Sequence, residues 1–139
     1  MPEQSATYDF EQSDIVSASP TVIYDAWMSS DGHTAMTGGV AVVDPHIGGE
    51  FTAWDDYIHG RTLELEPGSR ILQSWRTSEF ADGDADSHIE VLLEAVDGGT
   101  LVRLRHTDVP VDHRGYEDRG WRDYYFEPMK AYFADTMRR

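Results

Sequence analysis

The groups in this chain that could move a proton or hold a metal are six histidines and 26 carboxylates, and there is no cysteine. The histidines, at positions 33, 46, 59, 88, 106 and 113, never recur at i, i+4. A metal site would therefore have to be assembled across strands rather than on one helix face. His33, His46, His88 and His113 lie in or beside turn-forming segments and read as solvated loop residues. His106 differs, because it shares strand phase with Val102 and Leu104 and so faces inward. There it could bond a ligand, act as a general base, or be a core histidine satisfied by a backbone carbonyl, the commonest fate of a buried polar group. His59 and Arg61 alternate with Leu63 and Leu65. They read either as a cation at the mouth of a cavity or, among so many carboxylates, as ion-pair partners. Asp82, Asp84 and Asp86 begin like a calcium loop, but the glycine is Gly83 and position 12 is Leu93, where a bidentate Glu is required, so a solvated hairpin loop is expected. No nucleophile elbow, phosphate loop, nucleotide fingerprint or close zinc-ligand spacing occurs, which weighs against catalysis and against a cofactor or metal.

The residues best suited to a site are aromatic. Trp27, Phe51, Trp54, Trp75, Trp121, Tyr124, Tyr125 and Tyr132 come from a short helix, two strands and a long C-terminal helix, so folding should gather several around one space. Rings with polar tips suit a cavity that binds an apolar molecule and orients it through a few hydrogen bonds. The candidate lining is Trp27, Phe51, Trp54, Gln73, Trp75, His106, Trp121, Tyr125 and Met129, with Gln73 in phase with Ile71 and Trp75. Core packing accounts for the same residues equally well, and only a void would separate the two readings.

The elements that must position these residues follow from periodicity. Thr7 to Ser17 has the β-branched and aromatic pattern of a strand, and Ser19-Pro20 supplies a cap and first residue for a short helix with Val22, Ile23, Ala26 and Trp27 on one face. Asp31 can cap a second short helix that stops at Gly38-Gly39. From Val40 the period becomes two, giving strands Val40 to Asp44, Glu50 to Trp54, Ile58 to Glu66, Ile71 to Arg76, Ser87 to Val96 and Thr100 to Thr107, separated by turns short enough for hairpins. A long helix from about Tyr116 to Met137 carries Trp121, Tyr125, Pro128, Met129 and Tyr132 at three- and four-residue spacing, with a kink expected between Tyr124 and Pro128. This order predicts an α+β fold in which a curved antiparallel sheet of about seven strands grips one long helix.

The chain has 139 residues, 40% apolar, with 11 Lys+Arg against 26 Asp+Glu and a formal net charge of −15. That length predicts one domain over residues 1–139, able to bury roughly two-thirds of its unfolded surface without disulfides. The charge repels phosphate backbones and anionic membranes, so neither nucleic acid nor a membrane is expected as a partner. No apolar run is long enough to span a bilayer and no basic-then-apolar leader begins the chain, so a cytoplasmic location is expected. Lys130 is the only lysine among the eleven cations. Excess carboxylate with so little lysine fits either a high-salt cytoplasm or a genome whose codons favour Arg and Asp.

Six segments in order resemble a known family. They are Ala18-Ser19-Pro20 with Trp27; Gly48-Gly49-Glu50-Phe51; Gly60-Arg61 with Leu63-Glu64-Leu65-Glu66-Pro67; Arg70-Ile71 with Ser74-Trp75-Arg76; Leu104-Arg105-His106-Thr107 with Val109-Pro110; and Gly120-Trp121 through Glu127-Pro128-Met129-Lys130-Ala131-Tyr132-Phe133. The chain resembles homologues of the activator of the 90-kilodalton heat-shock protein ATPase, within the START-like or helix-grip superfamily that includes the birch-pollen allergen. The resemblance implies a helix-grip fold with a cavity between sheet and C-terminal helix, used across the superfamily for lipids, sterols, polyketides and other apolar molecules. Three functions follow as alternatives: a non-enzymatic binding domain for a small apolar molecule, a cyclase- or hydrolase-like enzyme using the same cavity, and a chaperone-associated interaction domain.

With carboxylates far outnumbering cations, sodium chloride should raise stability by screening their repulsion. A melting temperature that stays constant or falls between low and molar salt would contradict this.

Overall fold

The computed structural model describes residues 7–111 and 120–137. Seven strands, β1 (Thr7–Val16), β2 (Val42–Val43), β3 (Glu50–Ala53), β4 (Ile58–Glu66), β5 (Arg70–Thr77), β6 (Ser87–Val96) and β7 (Gly99–Pro110), form one antiparallel sheet in the order β1-β7-β6-β5-β4-β3-β2. Two helices, α1 (Pro20–Trp27) and α2 (Ser30–Thr37), follow the first strand, and α3 (Glu127–Met137) closes the fold. This is the predicted α+β architecture of a curved sheet around a C-terminal helix. Alternation produces it locally: Ile89, Val91 and Leu93 on β6 and Val102, Leu104 and His106 on β7 are buried, while Arg103 and Arg105 are exposed. On the wet face Arg70 bonds Glu64 and Glu90 at 2.7 and 2.6 Å, and Arg105 pairs with Glu90 and Glu11.

Most strand limits match the sequence within a residue or two, and the exceptions have local causes. β2 shrinks to Val42–Val43 and β7 runs three residues past Thr107, pairing Val109 and Pro110 with Tyr8 and Thr7 across a register shift. On β4 a register shift between Thr62 and Glu64 breaks the alternation of His59, Arg61, Leu63 and Leu65. Thr62 turns inward at 0% exposure, Leu63 is exposed, and Leu65 packs against the core. Ser19 caps α1 as expected, its Oγ accepting from the Val22 N–H at 3.3 Å. The cap of α2 is Ser29, not Asp31: Ser29 has extended dihedrals and its Oγ accepts from the Gly32 N–H at 3.1 Å. Asp31 then sits in the first turn, where a carboxylate favours the positive end of the helix. Gly38, at φ 87°, ends α2 in the left-handed conformation that a Cβ would oppose.

The first part of the predicted long helix, residues 116–119, lies outside the described residues. The kink predicted before Pro128 takes the form of a π-helical turn, Arg122–Phe126, running directly into α3. The Glu127 N–H bonds the Arg122 carbonyl five residues back, so the backbone is already wide where the Pro128 ring, which has no N–H and would crowd the preceding turn, must fit. Phe126 at the end of the turn and Met129 and Phe133 on α3 are buried, exposed by 3, 1 and 3%. Met129→Ala should destabilise the fold by about 2–5 kcal/mol in denaturant titration. An unchanged midpoint would show that α3 does not close the core.

Candidate functional site

Between the sheet and the start of the C-terminal helix lies a pocket of about 370 Å³ lined by Trp54, Tyr57, Ile58, Trp75, Gly120, Trp121, Tyr124 and Tyr125. Three elements build it. The β3–β4 turn supplies Trp54 and Tyr57, the facing strands supply Ile58 and Trp75, and the wide helical turn supplies the rest. Trp121 and Tyr125 pack tilted with centroids 4.8 Å apart, Trp75 meets Trp121 at 5.6 Å, and Trp54 meets Tyr124 edge-on at 5.1 Å.

Two buried histidines hold the helical side of this wall. The Trp121 indole N–H donates to His106 Nδ1 at 3.1 Å, so the proton of a neutral imidazole belongs on Nε2, which lies 2.9 Å from Ser87 Oγ. Ser87 in turn donates to the Trp75 carbonyl at 2.6 Å. His106 also stands edge-on to Trp75 at 4.6 Å. His33 uses the opposite tautomer. Its Nδ1 faces the Trp27 carbonyl at 3.0 Å and must donate, leaving Nε2 to accept from the Tyr125 hydroxyl at 2.7 Å. Burial disfavours the charged forms, lowering His33 to about 4 and His106 to about 3, and it pushes the Tyr125 phenol well above its usual range. With both ring nitrogens engaged, these imidazoles act as fixed hydrogen-bonding struts.

The other side of the wall stores strain. Trp54, Asp55 and Asp56 have φ of 51, 56 and 73°, three successive non-glycine residues in the left-handed region, where each costs roughly 1–2 kcal/mol. The turn is pinned by Asp55 N–H to the Val40 carbonyl, Tyr57 N–H to the Trp54 carbonyl and Ser78 N–H to the Tyr57 carbonyl. The Trp54 ring lies over Gly39, where a Cβ would come within 2.4 Å of it, so only glycine admits the indole here. The Trp54 Nε1–H is buried with no acceptor among the described residues.

Of the nine residues expected to line a cavity, Trp54, Trp75, Trp121 and Tyr125 border the pocket. The other five stand behind it. Trp27 packs against Tyr125 with centroids 5.0 Å apart, His106 contacts Trp75 and Trp121, and Phe51 and Met129 are in the core at 4 and 1% exposure. Gln73 is a core hub: its Oε1 accepts from Trp27 Nε1 at 3.2 Å and its Nε2 donates to Thr62 Oγ1 at 3.2 Å. His106 is satisfied by side chains where a backbone carbonyl was expected. His33 is not a solvated loop residue: it is 2% exposed, on the α2 face it shares with Met36 and Thr37, and that i, i+3, i+4 spacing was the available signal. Tyr57, Ile58 and Tyr124 join the wall because the turn and the π-helical spacing aim them there, which periodicity does not reveal. His46 is exposed beside Asp44, His88 pairs with Asp108, and His113 lies outside the described residues. His59 is exposed, and Arg61 pairs with Glu50 at 3.2 Å, the ion-pair reading. Asp86 pairs with Arg76 and Asp84 accepts the Ala81 N–H, as in a self-bonded hairpin loop.

The depressed histidines imply a pH dependence. An unfolded chain takes up these protons below about pH 6.5, whereas the folded one does so only near 4 and 3, so their contribution is complete above 6.5 and declines as pH falls. At high salt, which suppresses surface repulsion, the urea midpoint should drop between pH 6.5 and 5, above the range in which carboxylates titrate. His106→Asn should lessen that slope. A wild-type midpoint that is flat or rises over this interval would contradict neutral burial.

Comparison with known proteins follows the same outline. The profile of the family described as "Activator of Hsp90 ATPase homolog 1-like protein" matches residues 17–134. An activator of 90 kDa heat shock protein ATPase homolog from Dictyostelium discoideum is 28% identical over 122 residues, covering 86% of this chain and 31% of the relative. An uncharacterised Schizosaccharomyces pombe protein is 24% identical over 92% of this chain and 38% of its own. The chain thus spans about a third of the length of these curated relatives. Among solved structures, an HSP90 activator from Plasmodium falciparum superposes with a TM-score of 0.78 at 21% identity, covering 89% of this chain and 94% of that one. Among the described residues no helix is long and apolar enough to cross a membrane. With helix grip, sheet order and nearly the whole chain in agreement, the chain belongs to the activator of Hsp90 ATPase homolog 1-like family.

Proposed function

We propose that this chain is a non-enzymatic, cytoplasmic binding domain that holds a small, largely apolar molecule in the aromatic pocket. The observation that carries the reading is a space of about 370 Å³ with six aromatic side chains on its wall. A tightly packed core leaves few voids larger than a water, whereas ligand pockets begin at about 300 Å³. The left-handed turn that presents Trp54 supports it, since backbone strain of this kind concentrates at functional sites. The two buried histidines support binding over proton transfer, because each spends both ring nitrogens on protein partners.

Trp54, Trp75 and Trp121 border the pocket, so indole fluorescence and thermal shift both report occupancy. A screen of fatty acids, sterols and flavonoid-like aromatics should find a compound that raises the melting temperature with the logarithm of its concentration. Tyr124→Ala, at a position 53% exposed, should weaken that binding severalfold while the apo protein melts as before. If no compound shifts the wild type, the reading fails.

Family membership favours a second reading, contact with a 90-kDa heat shock protein, the chaperone named for the Dictyostelium and Plasmodium relatives. Purified chain that accelerates the chaperone's ATPase would support it. An unchanged rate is the result expected if the pocket is the functional surface.

A further inference from the structure

We propose that the pocket selects an organic cation: a ligand with an apolar or aromatic body and an ammonium-type head seated against the ring faces. This rests on the binding-domain reading and specifies its ligand class. The pocket's described walls carry no cationic side chain and are dominated by indoles and phenols, whose faces attract positive charge. Of the cations next in sequence to the wall, Arg119 lies outside the described residues, and the two described ones are directed elsewhere. Arg76, beside Trp75, bonds Asp86 and the Asp84 and Ala81 carbonyls and lies over Phe80. Arg122, beside Trp121, faces Asp14 and Glu127.

Two carboxylates near the wall have no such counter-charge among the described residues. Asp55 and Asp56 occupy the turn between Trp54 and Tyr57, exposed and without an ion pair among the described residues. Glu79 accepts the Tyr57 hydroxyl at 2.6 Å, a short charge-assisted bond that leaves a full negative charge one hydrogen bond from the pocket and enriches the phenol ring. On a chain of net charge −15 this rim draws cations in and repels anions. A neutral apolar molecule would use the rings but leave the rim unemployed, and an anion would oppose it.

The test compares three probes of similar shape by indole fluorescence and calorimetry: benzyltrimethylammonium, its uncharged carbon isostere neopentylbenzene, and phenylacetate. The cation should bind at least tenfold tighter than the isostere, with phenylacetate weakest. Its affinity alone should fall as sodium chloride rises. Glu79→Gln, a change at an exposed side chain, should weaken the cation several-fold and leave the isostere unaffected. Equal or tighter binding of the isostere would overturn the cation assignment while leaving the apolar pocket standing. Failure of all three to bind, with no hit in the wider screen, would overturn both.

Discussion

The organisation of this site depends on two neutral imidazoles buried behind it. His106, on the last strand, accepts the Trp121 indole N–H, and His33, on α2, accepts the Tyr125 hydroxyl. Those donors are four residues apart on the wide turn that begins the C-terminal helix, so the turn is fixed at both ends, once to the sheet and once to the helical layer. Each histidine must stay uncharged to accept, and the surrounding core enforces this by desolvation. A lysine or a carboxylate in either place would bring a charge that the apolar surroundings could not solvate.

Because the turn is held from outside, its rings need not interlock with the sheet to be ordered. Trp27 and Tyr125 pack with centroids 5.0 Å apart and Trp121 and Tyr125 with centroids 4.8 Å apart, while across the pocket Trp54 is set by the pinned turn and by the glycine beneath it. Two independently anchored walls can stand apart, and the space between them is the pocket. Pro128 contributes by favouring a widened backbone before α3, which changes the angular spacing of Trp121, Tyr124 and Tyr125 from that of a regular helix. The strain in the Trp54–Asp56 turn weighs against stability, and the buried core offsets it.

Much of the fold was legible because strand period and cap chemistry are local. Ile58–Glu66 and Ser87–Val96 could be read to the residue from alternation bounded by turns, and Ser19-Pro20 marked α1 by the physics of an unsatisfied helix start. What escaped reading depended on geometry that no spacing encodes. The bulge on β4 turned Leu65 to the face opposite His59, Arg61 and Leu63, and the choice between Ser29 and Asp31 as cap turned on backbone dihedrals. The aromatic character of the site was legible, since Trp54, Trp75, Trp121 and Tyr125 could be named in advance, but the division between wall and core was not. Gln73 and Trp27 satisfy each other within the core, and nothing in their strand or helix phase distinguishes a residue facing a void from one facing a neighbour.

Two uncharged histidines of opposite tautomer position the aromatic wall. Long-range proton–nitrogen correlation spectra of nitrogen-15-labelled protein read tautomer and charge directly at each imidazole. At pH 5.5 two slowly exchanging neutral rings are expected, one protonated on Nε2 and assigned to His106, the other protonated on Nδ1 and assigned to His33. A charged or tautomer-averaged ring at either position would mean that the bonds to Trp121 and Tyr125 do not hold the wall, and the account would be wrong.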